Sequence, residues 1–347
     1  MTTESTAKAS HTPSRGIALL LGLLGPWGAG HFYLGQKKRA VLWLGVPSAL
    51  LFLWATGLPW LGSLFGYGLV FSVLCAGLLA AWAGSLVDLD RVPEERLRGV
   101  DGLEIFGYWI VGVAFVIIAR QALRSSVMEA FKIPSGEMQP ALMVGDHILA
   151  DKLVLHSRKP KRGEVIVFKF PEHPDQNLVM RVIAIPGDTL LVKSGRPWLN
   201  GSEIPHCVVG KGAMPDGEGR TSSGEIDLEY LDGAAYLSFF DEDSATSDTL
   251  GPFPVADNEV WVLGDNRKHS DDSRSWFGGR GGGVPLDLVV GRGLFRWASD
   301  PGGRFDWSRY GTGLGDPLLP GSMRSLEAGL KKCLAQGPAR EATVPPR

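Results

Sequence analysis

Leu178-Val-Met-Arg-Val-Ile-Ala-Ile185, closed by Pro186-Gly187-Asp188, decides how the second half of this chain folds. The run is short, half β-branched and bounded by turn formers, which reads as a strand. Working outward, the same pattern recurs at Glu164-Val-Ile-Val-Phe-Lys-Phe170, Thr189-Leu-Leu-Val-Lys193 and Glu259-Val-Trp-Val-Leu263. No helical periodicity of useful length interrupts these runs between about 135 and 295, so the spacing predicts a mainly β, Greek-key or barrel-like domain over residues 125–300.

Toward the N-terminus the composition changes. From Gly16 to Val87 the only formal charges are Lys37, Lys38 and Arg39. Gly16 to Gly35 is long enough to cross a hydrocarbon core of about 30 Å, although Gly25-Pro26-Trp27 interrupts it. Ala40 to Val87 reads as two further helices with a turn at Gly57-Leu58-Pro59-Trp60. Residues 1–15 are then a polar tail, 16–90 a multi-span α-helical membrane part with about three spans, and 105–121 a membrane anchor helix. A cleavable signal peptide is not expected, because the first apolar run is too long and more spans follow.

Basic residues set the orientation. The loops 36–39 and 88–104, the latter with Arg91, Arg96 and Arg98, hold six Lys and Arg between them and are separated by an even number of crossings. Both are expected in the cytoplasm. Both termini and the polar domain after Arg120 would face outward, unless the Gly-Pro break makes the first stretch re-entrant and places the N-terminus inside.

The 347 residues are 44% hydrophobic and 21% charged with a net charge of −2, which excludes a nucleic-acid binder and a disordered chain. Cys75, Cys207 and Cys333 lack metal-ligand spacing, so neither a metal nor a cofactor is expected. A Cys207–Cys333 disulfide is chemically open outside the cytoplasm, but nothing in the spacing demands it. Residues 301–347 form a C-terminal extension, and from about Asp316 it reads as a flexible end.

Two resemblances go further. Leu20 to Gly35, with Gly28-Ala-Gly-His-Phe-Tyr-Leu-Gly35, the basic cluster and the later Asp88 and Asp90, resembles the TM2 membrane domain. There, His31-Phe32-Tyr33 reads as an interfacial aromatic anchor. Four ordered blocks resemble bacterial type I signal peptidases: Phe131-Lys-Ile-Pro-Ser-Gly-Glu-Met-Gln-Pro-Ala-Leu142, Gly145-Asp-His-Ile-Leu-Ala-Asp-Lys152, Val179-Met-Arg-Val-Ile-Ala-Ile-Pro-Gly-Asp188 and Gly264-Asp-Asn-Arg-Lys-His-Ser-Asp-Asp-Ser-Arg274. The resemblance covers roughly residues 105–300, with 191–258 matching the family's variable insert.

That family implies a serine nucleophile activated by a neutral, buried lysine, and an oxyanion held by a backbone N–H and a serine hydroxyl. Carried over by position, the nucleophile falls on Glu137 and the base on Met180. Both are substituted, and a thioether cannot take a proton near neutral pH. The oxyanion serine falls on Ser135, and the supporting set on Ser270, Asp272, Arg274, Arg181 and Asp265, with Asp265 paired to Arg181. His147, His269 and Lys152 do not fall on the base position.

The expectation is therefore an inner-membrane, multi-pass signal-peptidase homologue with an outward β domain and lost proteolysis. It would bind signal peptides or preproteins, membrane lipid and secretion-machinery or other membrane proteins. The alternatives are an active peptidase using Ser135, or a structural or assembly protein of the membrane.

Overall fold

The computed structural model describes residues 13–97, 100–215, 221–242 and 249–338. The N-terminal tail to residue 12, Arg98, part of the Gly-rich loop 210–224 and the final Pro345-Pro346-Arg347 fall outside the described residues. Near Val127 the chain divides into two compact units.

The first unit is helical. Its apolar start forms α1 (Arg15–Leu24) and α2 (Ala29–Tyr33) with a break between them, instead of one span. At 1.5 Å per residue the ten residues of α1 reach about 15 Å, half of what a crossing needs. The Gly-Pro break is real because Gly28 adopts φ +87°, and a Cβ there would lie 2.3 Å from the Ala40 carbonyl oxygen. Ala18 and Gly22 are buried, with Gly22 against Leu86 and Leu89.

Among the described residues, three helices are long and apolar enough to cross a membrane: α3 (Lys37–Phe65), α4 (Tyr67–Asp90) and α5 (Gly102–Ser126). The turn expected at Gly57–Trp60 does not form. Helix α3 runs through Pro47 and Pro59, and the break comes at Gly66, with φ +87°. A Gly-Leu-Pro signal opens a helix where water can satisfy the freed backbone; in an apolar surrounding, keeping the helix costs less. Leu42, Phe52, Leu53, Leu64, Leu69, Val73 and Leu79 are each more than half exposed, as side chains solvated by lipid are.

Asp88 ties the helices together. Its Oδ2 lies 3.1 Å from His31 Nε2 and accepts the Trp43 indole N–H at 3.0 Å, while Oδ1 accepts Arg39 at 3.1 Å. His31 is 2% exposed, so it is an internal hydrogen-bonding group and not the interfacial anchor its aromatic neighbours suggested. An unpaired carboxylate among apolar helices would be costly, and three donors remove that cost.

The second unit is a β domain of antiparallel ladders. Its strands are β1 (Met128–Lys132), β2 (Asp146–Asp151), β3 (Val165–Lys169), β4 (Asn177–Ala184), β5 (Thr189–Lys193), β6 (Arg196–Leu199), β7 (Ser202–Glu203), β8 (His206–Pro215), β9 (Thr221–Leu231), β10 (Ala234–Asp241), β11 (Thr249–Pro254), β12 (Glu259–Leu263), β13 (Val284–Pro285) and β14 (Val289–Ser299). A seven-stranded sheet runs β1-β2-β14-β3-β4-β12-β13, a four-stranded sheet β11-β5-β6-β7, and a three-stranded sheet β10-β9-β8. Val165 to Phe168 are all buried, so β3 is an unbroken apolar run covered on both faces. β4 pairs β3 from Asn177 to Arg181 but meets β12 only from Arg181 onward. Residues 177–180 thus have a ladder on one side only.

The segment after Asp316 is not a loose end within the described residues. After a 3-10 turn at Gly321–Leu326, helix α6 (Glu327–Gln336) buries Leu330 and Cys333 against β8 and β9. The Tyr230 hydroxyl donates to the Cys333 carbonyl at 2.6 Å, and Cys333 forms a disulfide with Cys207. Met323, Leu326, Leu330 and Cys333 recur every three or four residues, a helical stripe that gives the tail its own core contact.

Candidate active site

The loop between β1 and β2 carries Ser135, Gly136 and Glu137. Its base is closed by Ile133 and Gly145, whose backbones exchange hydrogen bonds with Asp146 and Ile133. From Met138 to Met143 the loop is buried, which fixes it from below. The Ala141 carbonyl accepts two guanidinium groups, Arg296 at 2.5 Å and Arg309 at 3.0 Å, and Arg309 also reaches Asp146 at 2.5 Å. Neither arginine was singled out by the sequence reading; Arg296 lies within a strand pattern and Arg309 in the extension, with no motif around either.

The 264–274 loop meets the first loop directly. The Asn266 backbone N–H donates to the Glu137 carbonyl at 2.9 Å, and its amide donates to the Gly136 carbonyl at 3.1 Å. Gly264 is required here: a Cβ would sit 2.2 Å from Ser270 Oγ and 2.6 Å from the Glu137 carbonyl oxygen. Strand β4 adds Met180 and Arg181, with Arg181 opposite Leu263, one residue before Gly264.

Every residue picked out by position is thereby placed. Ser135 is exposed, and its hydroxyl makes no hydrogen bond among the described residues. Met180 is fully buried in a core that includes Met138, Ile166 and Val262. Arg181 and Asp265 are fully buried partners, and Arg181 also donates to the Gly163 carbonyl at 2.8 Å and stacks on Tyr236. Asp272 accepts Arg274 through both oxygens at 2.7 Å and the Gly264 N–H at 3.0 Å. Ser270 Oγ is buried and has no hydrogen-bond partner.

Glu137 occupies a half-buried position beside the second loop. Burial, then the charges of Asp271 and Asp272, push its carboxyl up to about 7, against the pull of the Asp271 backbone N–H that hydrogen-bonds it. Near neutral pH this group is therefore part acid, part carboxylate. The other candidate bases are engaged: Lys152 with Glu129 at 2.8 Å, His269 with Asp241 at 2.6 Å, and His147 beside Asp300 at 3.5 Å. Among the described residues, no group of His, Cys, Asp and Glu is arranged to hold a metal ion.

Comparison with known proteins finds a family and several relatives for this chain. The match to the family described as signal peptidase, peptidase S26, spans residues 106–298, which leaves α3 and α4 outside it. Signal peptidase I of Pseudomonas fluorescens is 32% identical over 241 residues, covering 64% of this chain and 82% of that protein. Signal peptidase I of Pseudomonas aeruginosa is 29% identical over 244 residues, with the same shares of 64% and 82%. Signal peptidase I of Aquifex aeolicus is 31% identical over 225 residues, covering 53% of this chain and 80% of that protein.

Proposed function

Because the chain belongs to the signal peptidase family, peptidase S26, we propose that it keeps this family's peptide-holding frame and has lost its proteolysis. The observation that carries the proposal is the pairing of a fully buried Met180 with a buried Ser270 hydroxyl that has no partner. In a serine–lysine mechanism the amine at the first position takes the nucleophile's proton, and the hydroxyl at the second orients that amine. Here that hydroxyl has no partner among the described residues, and a thioether at the amine's position holds no proton.

Glu137 does not replace the serine. Its carboxyl is partly protonated near pH 7, and no base stands ready to activate a water for it. Ser135 offers an exposed hydroxyl without a hydrogen-bonded base, which is a poor nucleophile. What remains fits binding. β1 is an edge strand and residues 177–180 of β4 have one open side, so backbone groups are available to pair with an extended peptide.

The proposed orientation places the basic loops in the cytoplasm and the β domain outside. Two supports are independent: the six Lys and Arg in loops 36–39 and 88–104, and the Cys207–Cys333 disulfide, which persists in an oxidising compartment. With α1 too short to cross, three spans remain, and the N-terminus then lies on the cytoplasmic side, not outside. The test is incubation of the purified full chain in detergent with a labelled preprotein. Saturable binding without cleavage is expected; turnover abolished by Ser135→Ala would overturn the proposal.

A further inference from the structure

The arginines around the site already have acids. Arg274 is held by Asp272, Arg181 by Asp265, and Arg267 by Glu229 at 2.6 Å. Of the other nearby cations, His269 pairs with Asp241 and Lys268 donates to the Asp241 carbonyl at 2.6 Å. Glu137 is left over. Among the described residues no Lys, Arg or His pairs with it, and the charges that act on it, Asp271 and Asp272, are of the same sign.

A second feature of the same turn also lacks a partner. Gln139 is 1% exposed, and its amide presses under Gly136, 3.2–3.3 Å from where a Cβ would lie. Its Nε2 donates to nothing, and Asn266 Oδ1, 4% exposed on the other flank of the turn, accepts from nothing. Buried polar groups are seldom left without partners, and a turn with an empty donor, an empty acceptor and an acid without a cation is incomplete as it stands.

The geometry points to a ligand that supplies the missing charge: an extended peptide carrying one lysine or arginine, whose cationic side chain pairs with Glu137 while its backbone lies along the open strand edges. This rests on the peptide-holding reading above and deepens it, giving that peptide a preference for a positive charge at one position. An ammonium beside a partly desolvated carboxyl favours the ionised form and gains more than it would in water. The desolvation and like charges that raise the Glu137 carboxyl in the free protein are offset when the cation arrives.

The experiment moves a single lysine one position at a time through a fluorescent alanine-rich peptide, with norleucine at the same positions as the uncharged control. Binding to the full chain in detergent is read by anisotropy. At about pH 8, lysine at one position, or at two neighbouring ones, is expected to tighten binding by roughly tenfold or more over norleucine. Below about pH 6, where Glu137 is protonated, the preference collapses in the unmodified protein. In Glu137→Gln the lysine peptide binds no tighter than its norleucine counterpart at either pH. Equal binding of lysine and norleucine peptides throughout would overturn the cation preference and leave the peptide-holding reading standing. Absence of saturable binding by any peptide would overturn both.

Discussion

Arg181 and Asp265 meet through two hydrogen bonds of 2.7 Å, with neither side chain exposed to solvent. One residue before Arg181 stands Met180, and one residue before Asp265 stands Gly264, against which Ser270 and the Glu137 backbone pack. The pair therefore holds β4 and the 264–274 loop in register beside Met180 and the Glu137 turn. On the proposed reading, this frame is what would separate loss of proteolysis from loss of the domain.

Breaking that pair leaves an uncompensated charge in the core. Arg181→Ala is expected to lower stability by about 3–5 kcal/mol, and the paired change Arg181→Met with Asp265→Leu to recover much of it. Urea unfolding of the β domain, followed by tryptophan fluorescence, measures both. A loss under about 1 kcal/mol for the single change would mean that the pair does not hold the loop.

Glu137 makes stability depend on pH with a definite sign. Its carboxyl titrates near 7 in the folded chain, against an ordinary value of 4.5. Between those values the folded state holds more protons than the unfolded one, so this contribution falls as pH rises through the window. Glu137→Gln removes the penalty. Its stability relative to the unmodified protein should rise by about 1–2 kcal/mol from pH 4.5 to pH 7, allowing for partial exposure. Parallel stability curves for the two proteins would show that the carboxyl is not desolvated.

The Cys207–Cys333 bond closes a loop of sequence separation 126. On the chain-entropy account, replacing both cysteines by serine lowers stability by about 4–5 kcal/mol. The loss should appear first in α6, where hydrogen exchange at Leu330 and its neighbours would rise ahead of exchange in β3. Unchanged exchange in α6 after reduction would mean that its apolar contacts hold it without the bond.

Topology is checked by cysteine labelling with a membrane-impermeant reagent in a Cys75→Ser background. Sites placed before Arg15, after Arg39 and after Asp101 should be inaccessible from outside, and a site at Asn200 accessible. External labelling before Arg15 would restore the first apolar stretch as a crossing.

Much of this was legible in the residues, and the failures share a cause. The strand runs at 164–170, 178–185 and 259–263 carry β-branched residues between turn formers, and each forms a strand. Gly264 and Arg181 were placed by their blocks, because a glycine pressed against another loop and a fully buried arginine leave a sequence no freedom. The turn expected at Gly57–Trp60 went wrong because Gly and Pro break helices in water, whereas α3 is apolar enough to lie in a membrane. His31 was taken for an anchor because its neighbours are aromatic; its partner Asp88 lies 57 positions away. Arg309 went unnoticed, and the Cys207–Cys333 bond was named without being required, for the same reason: each acts across more than a hundred residues and leaves no local pattern. The tail helix was the avoidable miss, because Met323, Leu326, Leu330 and Cys333 already repeat at helical spacing.

The central claim is that the site is intact except for two reactive groups, and restoring them tests it most directly. Preprotein cleavage is measured for the unmodified chain, Glu137→Ser, Met180→Lys and the double variant. The serine needs a neutral amine to take its proton, and the amine has nothing to activate without the serine, so the two act as a unit. Met and Lys have similar unbranched length, and the buried apolar position of Met180 would desolvate the amine and lower its pKa toward a useful range. Ser270, now without a partner, would gain the one it lacks. Measurable cleavage by the double variant, with far less from either single change and none from the unmodified chain, is the predicted result. Cleavage by the unmodified chain that Ser135→Ala abolishes would contradict the account, as would a double variant that folds, binds the preprotein and leaves it uncut.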